Sequence, residues 1–236
     1  MRGSPSTDSG WSRLLAAVLL VLLAAGAVAS AVAATRYPGG TWMDPRTEGH
    51  SFWGNFMCDI AHDRALDGRP HPGAAWGRAA EWVLVLGLGL FFWIAPALVV
   101  PRRRQATIRL LGTVGTLGLV AAPITSGVPH ALALIAGAGP GFTATLLVLR
   151  GLRHRPLLAG LGVLALGLSA VELALFLAFS ERFYTVVGTY PAVIPAVQRL
   201  ALLAAVAWMG ACAVAVLRAQ EGEAASDVST GSPRAT

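Results

Sequence analysis

EWVLVLGLGLFFWIAPALVVPRRR, residues 81–104, runs from Trp82 to Val100 without a charged side chain and then stops at three consecutive arginines. An uncharged run of this length approaches the roughly 20 residues that a helix needs to cross the hydrocarbon core of a bilayer. A dense basic cluster at one end of such a run marks the cytoplasmic side of a span. The stretch therefore reads as a transmembrane helix at about 79–100 whose C-terminal end is cytoplasmic.

Five further apolar runs of similar length lie at 13–34, 106–126, 129–149, 157–179 and 194–217. With 55% hydrophobic and only 13% charged residues over 236 positions, the chain falls among membrane proteins. The expected fold class is all-α: a polytopic bundle of six transmembrane helices. Arg102, Arg103, Arg104 and Arg109 follow the second span, Arg150, Arg153 and Arg155 the fourth, and Arg218 the sixth. This distribution puts both termini in the cytoplasm, with loops 35–78, 126–129 and 180–193 outside. The long first loop carries arginines of its own, interspersed with acidic residues, and long loops constrain orientation weakly. The domain reading is a cytoplasmic segment 1–12, a transmembrane domain 13–217 with the large extracytoplasmic loop 35–78, and a disordered cytoplasmic tail 218–236. The first span has a rival reading as a cleaved secretory signal, because SAVAA at 30–34 offers a small-residue cleavage site.

All 18 basic residues are arginine, so lysine-based Schiff-base and nucleophilic chemistry is excluded. The arginines form no stripe with interleaved aromatics, which argues against nucleic acid as a partner. Cys58 and Cys212 are the two cysteines and provide no disulfide framework. GTVGTLG at 112–118 and GAGPG at 137–141 let helix backbones approach closely in lipid, and Pro140 predicts a kink.

Reactive side chains concentrate in HSFWGNFMCDIAHD, residues 50–63. If 52–63 forms a short interfacial helix, Asp59 and His62 are three apart and Cys58 and His62 four apart, which places them on one face. Asp59, His62 and Cys58 are then the candidate catalytic residues. His50, Asp59, His62 and His130 are the candidate metal ligands, with zinc as the candidate ion. Ser51, Asn55 and Glu172 are candidate ligand-binding residues; Glu172 lies within the fifth span, where a carboxylate needs a function or a partner such as His130 or Arg182. The bland alternative has Asn55 and Asp59 bonding to loop backbone, His62 satisfied by Asp59, His130 capping its helix and Glu172 aligning helices. His71 and His154 read as solvated or headgroup-facing.

YPGG at 37–40 and SFWGNFMCDIAHD at 51–63, ahead of a series of apolar spans, resemble the bacterial multi-pass proteins collected as domain of unknown function 998. Members carry an aromatic residue, Asn-Phe, a small residue and Asp followed by Leu or Ile in the first outer loop; Asn55, Phe56, Cys58, Asp59 and Ile60 occupy that pattern here. The resemblance covers 13–217 as a hydropathy outline and implies a six-helix membrane protein without an established activity. A more distant likeness is to the membrane hydrolases of the ceramidase and progestin-receptor superfamily, which use a Ser, an Asp and three His around zinc. Ser51, Asp59 and His62 match its first part and His130 supplies one further ligand, but span six lacks the family's His pair.

The expected function is that of a multi-pass protein of the bacterial inner (plasma) membrane with a polar pocket on its outer face, open to a lipid, a small molecule or a partner protein. A metal-dependent hydrolase acting on an outer-leaflet lipid is the alternative, and a small-solute transporter the third reading. The orientation is tested by reporter fusions after Arg104 and after Arg155, both expected to report cytoplasm. A periplasmic signal at either position overturns the six-span arrangement.

Overall fold

A computed structural model describes residues 7–99, 102–125, 127–179 and 193–230. The described residues form six long helices: α1 Thr7–Thr35, α2 Ala74–Ile94, α3 Arg102–Leu119, α4 Gly127–Gly151, α5 Pro156–Phe179 and α6 Val193–Thr230. Six segments within them, Gly10–Thr35, Ala74–Leu98, Arg103–Ile124, Val128–Gly151, Pro156–Ala178 and Val193–Ala219, are long and apolar enough to cross a membrane. The chain is a polytopic all-α bundle, with no strand among the described residues. The second span begins earlier than the hydropathy suggested, because α2 starts directly after the turn at His71-Pro72-Gly73. In the tail, α6 continues to Thr230 instead of becoming disordered at 218. Ala219, Gln220, Glu221, Glu223 and Ala224 are strong helix formers, and the helix before them supplies the costly nucleus.

Consecutive helices pair as hairpins, α1 with α2, α3 with α4 and α5 with α6, and α1 also packs on α6. By contrast, α4 and α5 touch little. The two glycine motifs explain how α3 and α4 join. A Cβ on Gly115 would lie 2.9 Å from the Gly141 nitrogen, and one on Gly118 would lie 2.7 Å from the Gly137 nitrogen. Only backbone fits between these helices, so the motifs act in packing.

The main core lies toward the end that carries the arginine clusters. Phe91, Phe92 and Ile94 of α2, Val148 and Leu152 at the end of α4, and Cys212 and Val216 of α6 are all but inaccessible, joined by Leu19 of α1. The Phe91 and Trp208 rings lie 4.8 Å apart. At the opposite end, smaller apolar clusters sit within and under the 36–73 loop: Ala33, Tyr37, Ile60 and Ala65 in one, Phe56 and Ile194 in another.

The loop is ordered without regular structure, apart from isolated bridges at Gly39–Glu48 and Arg64–Pro70 and one 3-10 turn, Cys58–Ala61. Gly40 has φ +89°, and a Cβ there would meet the Leu66–Asp67 backbone, so this position of YPGG requires glycine. Arg46, Arg69 and Arg78 pair with Asp44, Asp67 and Asp63. Much of the loop's positive charge is thus neutralised locally, consistent with its small weight in setting orientation.

Replacing Gly118 with valine is expected to force α3 from α4 and cost about 1–3 kcal/mol, the usual range for overpacking. Gly160→Ala is the control, since a Cβ at Gly160 meets nothing within 4 Å. Thermal unfolding in detergent checks both; equal melting temperatures would refute the close α3–α4 seam.

Candidate functional site

The stretch 50–63 is not a helix. Residues 52–54 form a turn in which Ser51 O accepts the Gly54 and Asn55 amides, at 3.2 and 3.0 Å, and only Cys58–Ala61 coils, as a 3-10 turn. His62 follows with extended backbone, φ −81° and ψ 144°, so the shared helical face predicted for Cys58, Asp59 and His62 does not exist. The physical reason lies in Asn55 and Asp59, whose side chains bond to the loop's own backbone and compete with helical pairing. Asn55 Oδ1 accepts the Ser51 amide at 2.9 Å, and its Nδ2 donates to Gly40 O at 2.9 Å and to Asp59 Oδ2 at 3.2 Å.

Asp59 is 1% exposed. Its carboxylate accepts Trp42 Nε1 at 3.1 Å and the Phe56 amide at 2.8 Å, besides Asn55. None of its partners is the histidine that the spacing suggested. Burial pushes its pKa from 3.8 up to about 6, against the opposing pull of these three donors and of the more distant Arg199 charge.

The residue on which the loop turns was not singled out in the sequence. Arg199, 5% exposed near the start of α6, directs its guanidinium into the loop. Nε donates to Phe52 O at 3.1 Å, and Nη2 donates to Asn55 O and Phe56 O, both at 3.3 Å. Nη1 meets Met57 Sδ at 2.9 Å, and the guanidinium carbon stacks 5.2 Å from the Phe52 ring centre. Nη2 also contacts His50 Nε2 at 3.1 Å. An arginine only donates, so Nε2 accepts and His50 is neutral with its proton on Nδ1. Burial and the adjacent Arg199 cation push His50 down from 6.5 to about 4. Its neighbour Gln198 accepts the Met57 amide through Oε1 at 2.6 Å and donates through Nε2 to Glu172 Oε1 at 3.0 Å. An ionisable residue five positions into an apolar run was a usable signal for Arg199, and the polar pair Gln198-Arg199 strengthens it.

Beneath the loop lies a cavity of about 480 Å³ between α2, α4, α5 and α6. Its loop end is lined by Cys58, Asp59, His62, His130, Glu172 and Gln198. Farther along the helices the lining is apolar: Leu134 and Phe142 of α4, Ala165 and Leu166 of α5, Ala205 and Trp208 of α6. From Gln198 to Met209 along α6 the lined length is about 16 Å at 1.5 Å per residue.

The sequence candidates therefore separate. Asp59, His62, Cys58, His130 and Glu172 meet at this cavity, whereas Ser51, Asn55 and His50 do not line it. Ser51 Oγ accepts the Gly54 amide at 3.1 Å, so Ser51 and Asn55 build the loop instead of facing a ligand. Burial, with Asp59 and Glu81 nearby, raises the Cys58 thiol well above its ordinary value, so it is not prepared as a nucleophile. Burial lowers His62, and His130 adds to this, which keeps the ring neutral.

No three His, Cys, Asp or Glu side chains converge as a metal site among the described residues. The zinc set His50, Asp59, His62 and His130 is corrected accordingly: His50 is turned to Arg199, and Asp59 has committed its oxygens. His130, within the first turn of α4, has Nδ1 2.9 Å from Ala122 O in the preceding 3-10 turn, so it joins that turn to α4 and does not cap its own helix. Glu172 is met by Gln198; of its suggested partners, His130 makes no such bond and Arg182 lies outside the described residues. His154 is exposed as expected, but His71 is 5% exposed, with Nε2 3.1 Å from Ala33 O and Nδ1 3.3 Å from His62 O. It ties the end of α1 to the loop, a contact that its Pro-rich neighbourhood gave no reason to expect. In comparisons with known proteins, the chain matches no family model, no curated protein and no solved structure.

Arg199→Met is expected to cost about 3 kcal/mol by leaving the Phe52, Asn55 and Phe56 carbonyls without their charged donor. Arg199→Lys should restore little, because an ammonium cannot span the same fork of acceptors. Unchanged melting temperatures in both variants would remove Arg199 as the anchor of the loop.

Acid stability separates Asp59 from His50. Asp59 binds its proton more tightly folded than unfolded between 3.8 and about 6, so its contribution to stability falls as pH rises through that window. His50 binds its proton less tightly folded between about 4 and 6.5, so its contribution rises with pH there. The two oppose each other in the wild type. Asp59→Asn should therefore steepen the loss of melting temperature on acidification from 6.5 to 4, and His50→Gln should flatten it. Parallel pH profiles for all three proteins would contradict both assignments.

Proposed function

We propose that the chain is an inner-membrane binding protein whose outward-facing loop caps a site for a single small amphiphile. The observation that carries this reading is the cavity itself. Its 480 Å³ falls in the range of about 300–1,000 Å³ typical of small-molecule sites. Polar groups collect at the end under the loop, and the length running along α4, α5 and α6 is mostly apolar, with Thr145 and Ser169 as hydroxyls. A ligand with one apolar tail and one polar head matches that division, and a two-chain phospholipid is too bulky for the space.

The sparse contact between α4 and α5, both of which line the cavity, supports entry from the side of the bilayer. The orientation that places the loop outside follows from the arginine clusters and gives the head group a position near the outer leaflet. Catalysis is not required by any of these features. The hydrolase reading lacks a converging set of metal ligands among the described residues.

The test uses protein in nanodiscs of zwitterionic lipid and the quenching of its tryptophans, two of which, Trp42 and Trp208, line the cavity. Brominated dodecanol is expected to quench saturably, beyond the effect of bromine dissolved in the bilayer. Ala138→Phe, which fills the cavity from α4, should abolish the saturable part, and Trp208→Phe should reduce its amplitude. Non-saturable quenching equal in wild type and Ala138→Phe would overturn the proposal.

A further inference from the structure

The polar end of the cavity has a chemical sign. Two carboxyl groups, Glu172 and Asp59, line it among the described residues, beside His130 and Gln198. Glu172 receives Gln198 on Oε1, while Oε2 has no hydrogen-bond partner among the described residues. His130 holds Nδ1 against the Ala122 carbonyl oxygen, so Nδ1 carries a proton and Nε2 is left to face the cavity side of the site. Asp59 brings a carboxylate whose donors all come from the loop. Gln198 spends its Oε1 on the Met57 amide and one of its two Nε2 hydrogens on Glu172.

Cations are missing from the same surface. No arginine lines the cavity among the described residues, and the chain contains no lysine. Arg199, the nearest buried cation, points its guanidinium away into the loop, where its nitrogens meet Phe52, Asn55, Phe56, Met57 and His50. Ser169 and Thr145 also line the space, and their hydroxyls adapt as donor or acceptor.

Resting on the binding function above, we infer that the ligand is a long-chain amine: a single-tailed amphiphile whose ammonium sits against Glu172. A carboxylate inside a span is costly unless a partner meets it, and Gln198 supplies one neutral hydrogen bond where an ammonium supplies charge and up to three donors. A carboxylate or phosphate head would face the Asp59 and Glu172 carboxyl groups with no arginine lining the cavity among the described residues, so fatty acids and phosphorylated amphiphiles are disfavoured. A hydroxyl head would be accepted, but without the charge contribution.

Displacement of brominated dodecanol from wild-type protein in zwitterionic nanodiscs at pH 7 reads the preference directly. The competitors are dodecylamine, dodecanol and dodecanoate, each corrected for its own partitioning into protein-free nanodiscs. Dodecylamine is expected to displace the probe at least about tenfold more strongly than dodecanol, and dodecanoate more weakly than either. Glu172→Gln should erase the advantage of the amine and leave dodecanol binding within about twofold, which also reports that the variant is folded. Glu172→Asp should keep a part of the advantage, because the charge remains.

Equal displacement by amine and alcohol would overturn the inference while the binding function stands. Stronger displacement by dodecanoate would overturn it as well. An amine advantage that persists in Glu172→Gln would move the recognition elsewhere and refute the role given to this carboxylate. Absence of saturable probe binding in the wild type would instead remove the binding function on which the inference rests.

Discussion

A buried guanidinium with no carboxylate at ion-pair distance among the described residues holds this structure's loop in place. Arg199 enters from α6 at a depth where a charge must be compensated, and it finds carbonyl oxygens, a thioether and a neutral imidazole. Carbonyl dipoles can carry such compensation only if they are fixed, since loose dipoles would turn toward water. That requirement explains the rest of the loop. Asn55 closes the turn from inside, the Asp59 carboxylate gathers Trp42, Asn55 and the Phe56 amide, and Gly40 makes the tight approach that brings its own carbonyl to Asn55. The Arg199 and Asp59 charges act on each other through this scaffold without touching, which lowers the cost of burying each.

The same arrangement decides what the cavity can hold. Because Arg199 is spent on the loop, the polar end of the cavity keeps its carboxylates and loses the cation that would have balanced them. Gln198 stands at the border. One end of its amide holds the loop at Met57 and the other holds Glu172, so the loop backbone and a cavity carboxylate within a span are linked through a single side chain. A head group that pulls on Glu172 pulls on the cap as well.

How much of this was legible beforehand divides along physical lines. The six spans follow from hydropathy alone, since lipid demands long uncharged helices, and the close α3–α4 seam follows from glycine spacing. Asp59 and Glu172 stood out because carboxylates in apolar surroundings are costly, and both do lie at the cavity. Their partners were not legible. Helical spacing suggested His62 for Asp59, but local hydrogen bonds from Asn55 and Asp59 to the loop broke the helix that the spacing assumed. His71 looked solvated for a related reason: its proline and glycine neighbours predict a turn, while its burial depends on Ala33 at the end of a helix far away in sequence.

Arg199 is the instructive omission. The positive-inside rule treats arginine as a counter of topology, and a lone arginine at the opposite end of a span reads as an exception to be averaged away. Its real meaning appears when charge is weighed by environment. Arg103 and Arg104 stand exposed in the first turn of α3, where a charge is shared with its polar surroundings. Arg199 stands alone among Val197, Leu200 and Ala201 and is 5% exposed, so it must organise whatever lies against it. The segment that lies against it is 50–57, the first half of the polar stretch that the sequence marked as unusual. Those residues are polar and aromatic because they solvate a cation, and the carboxylates left facing the cavity acquire their chemical character from that prior commitment.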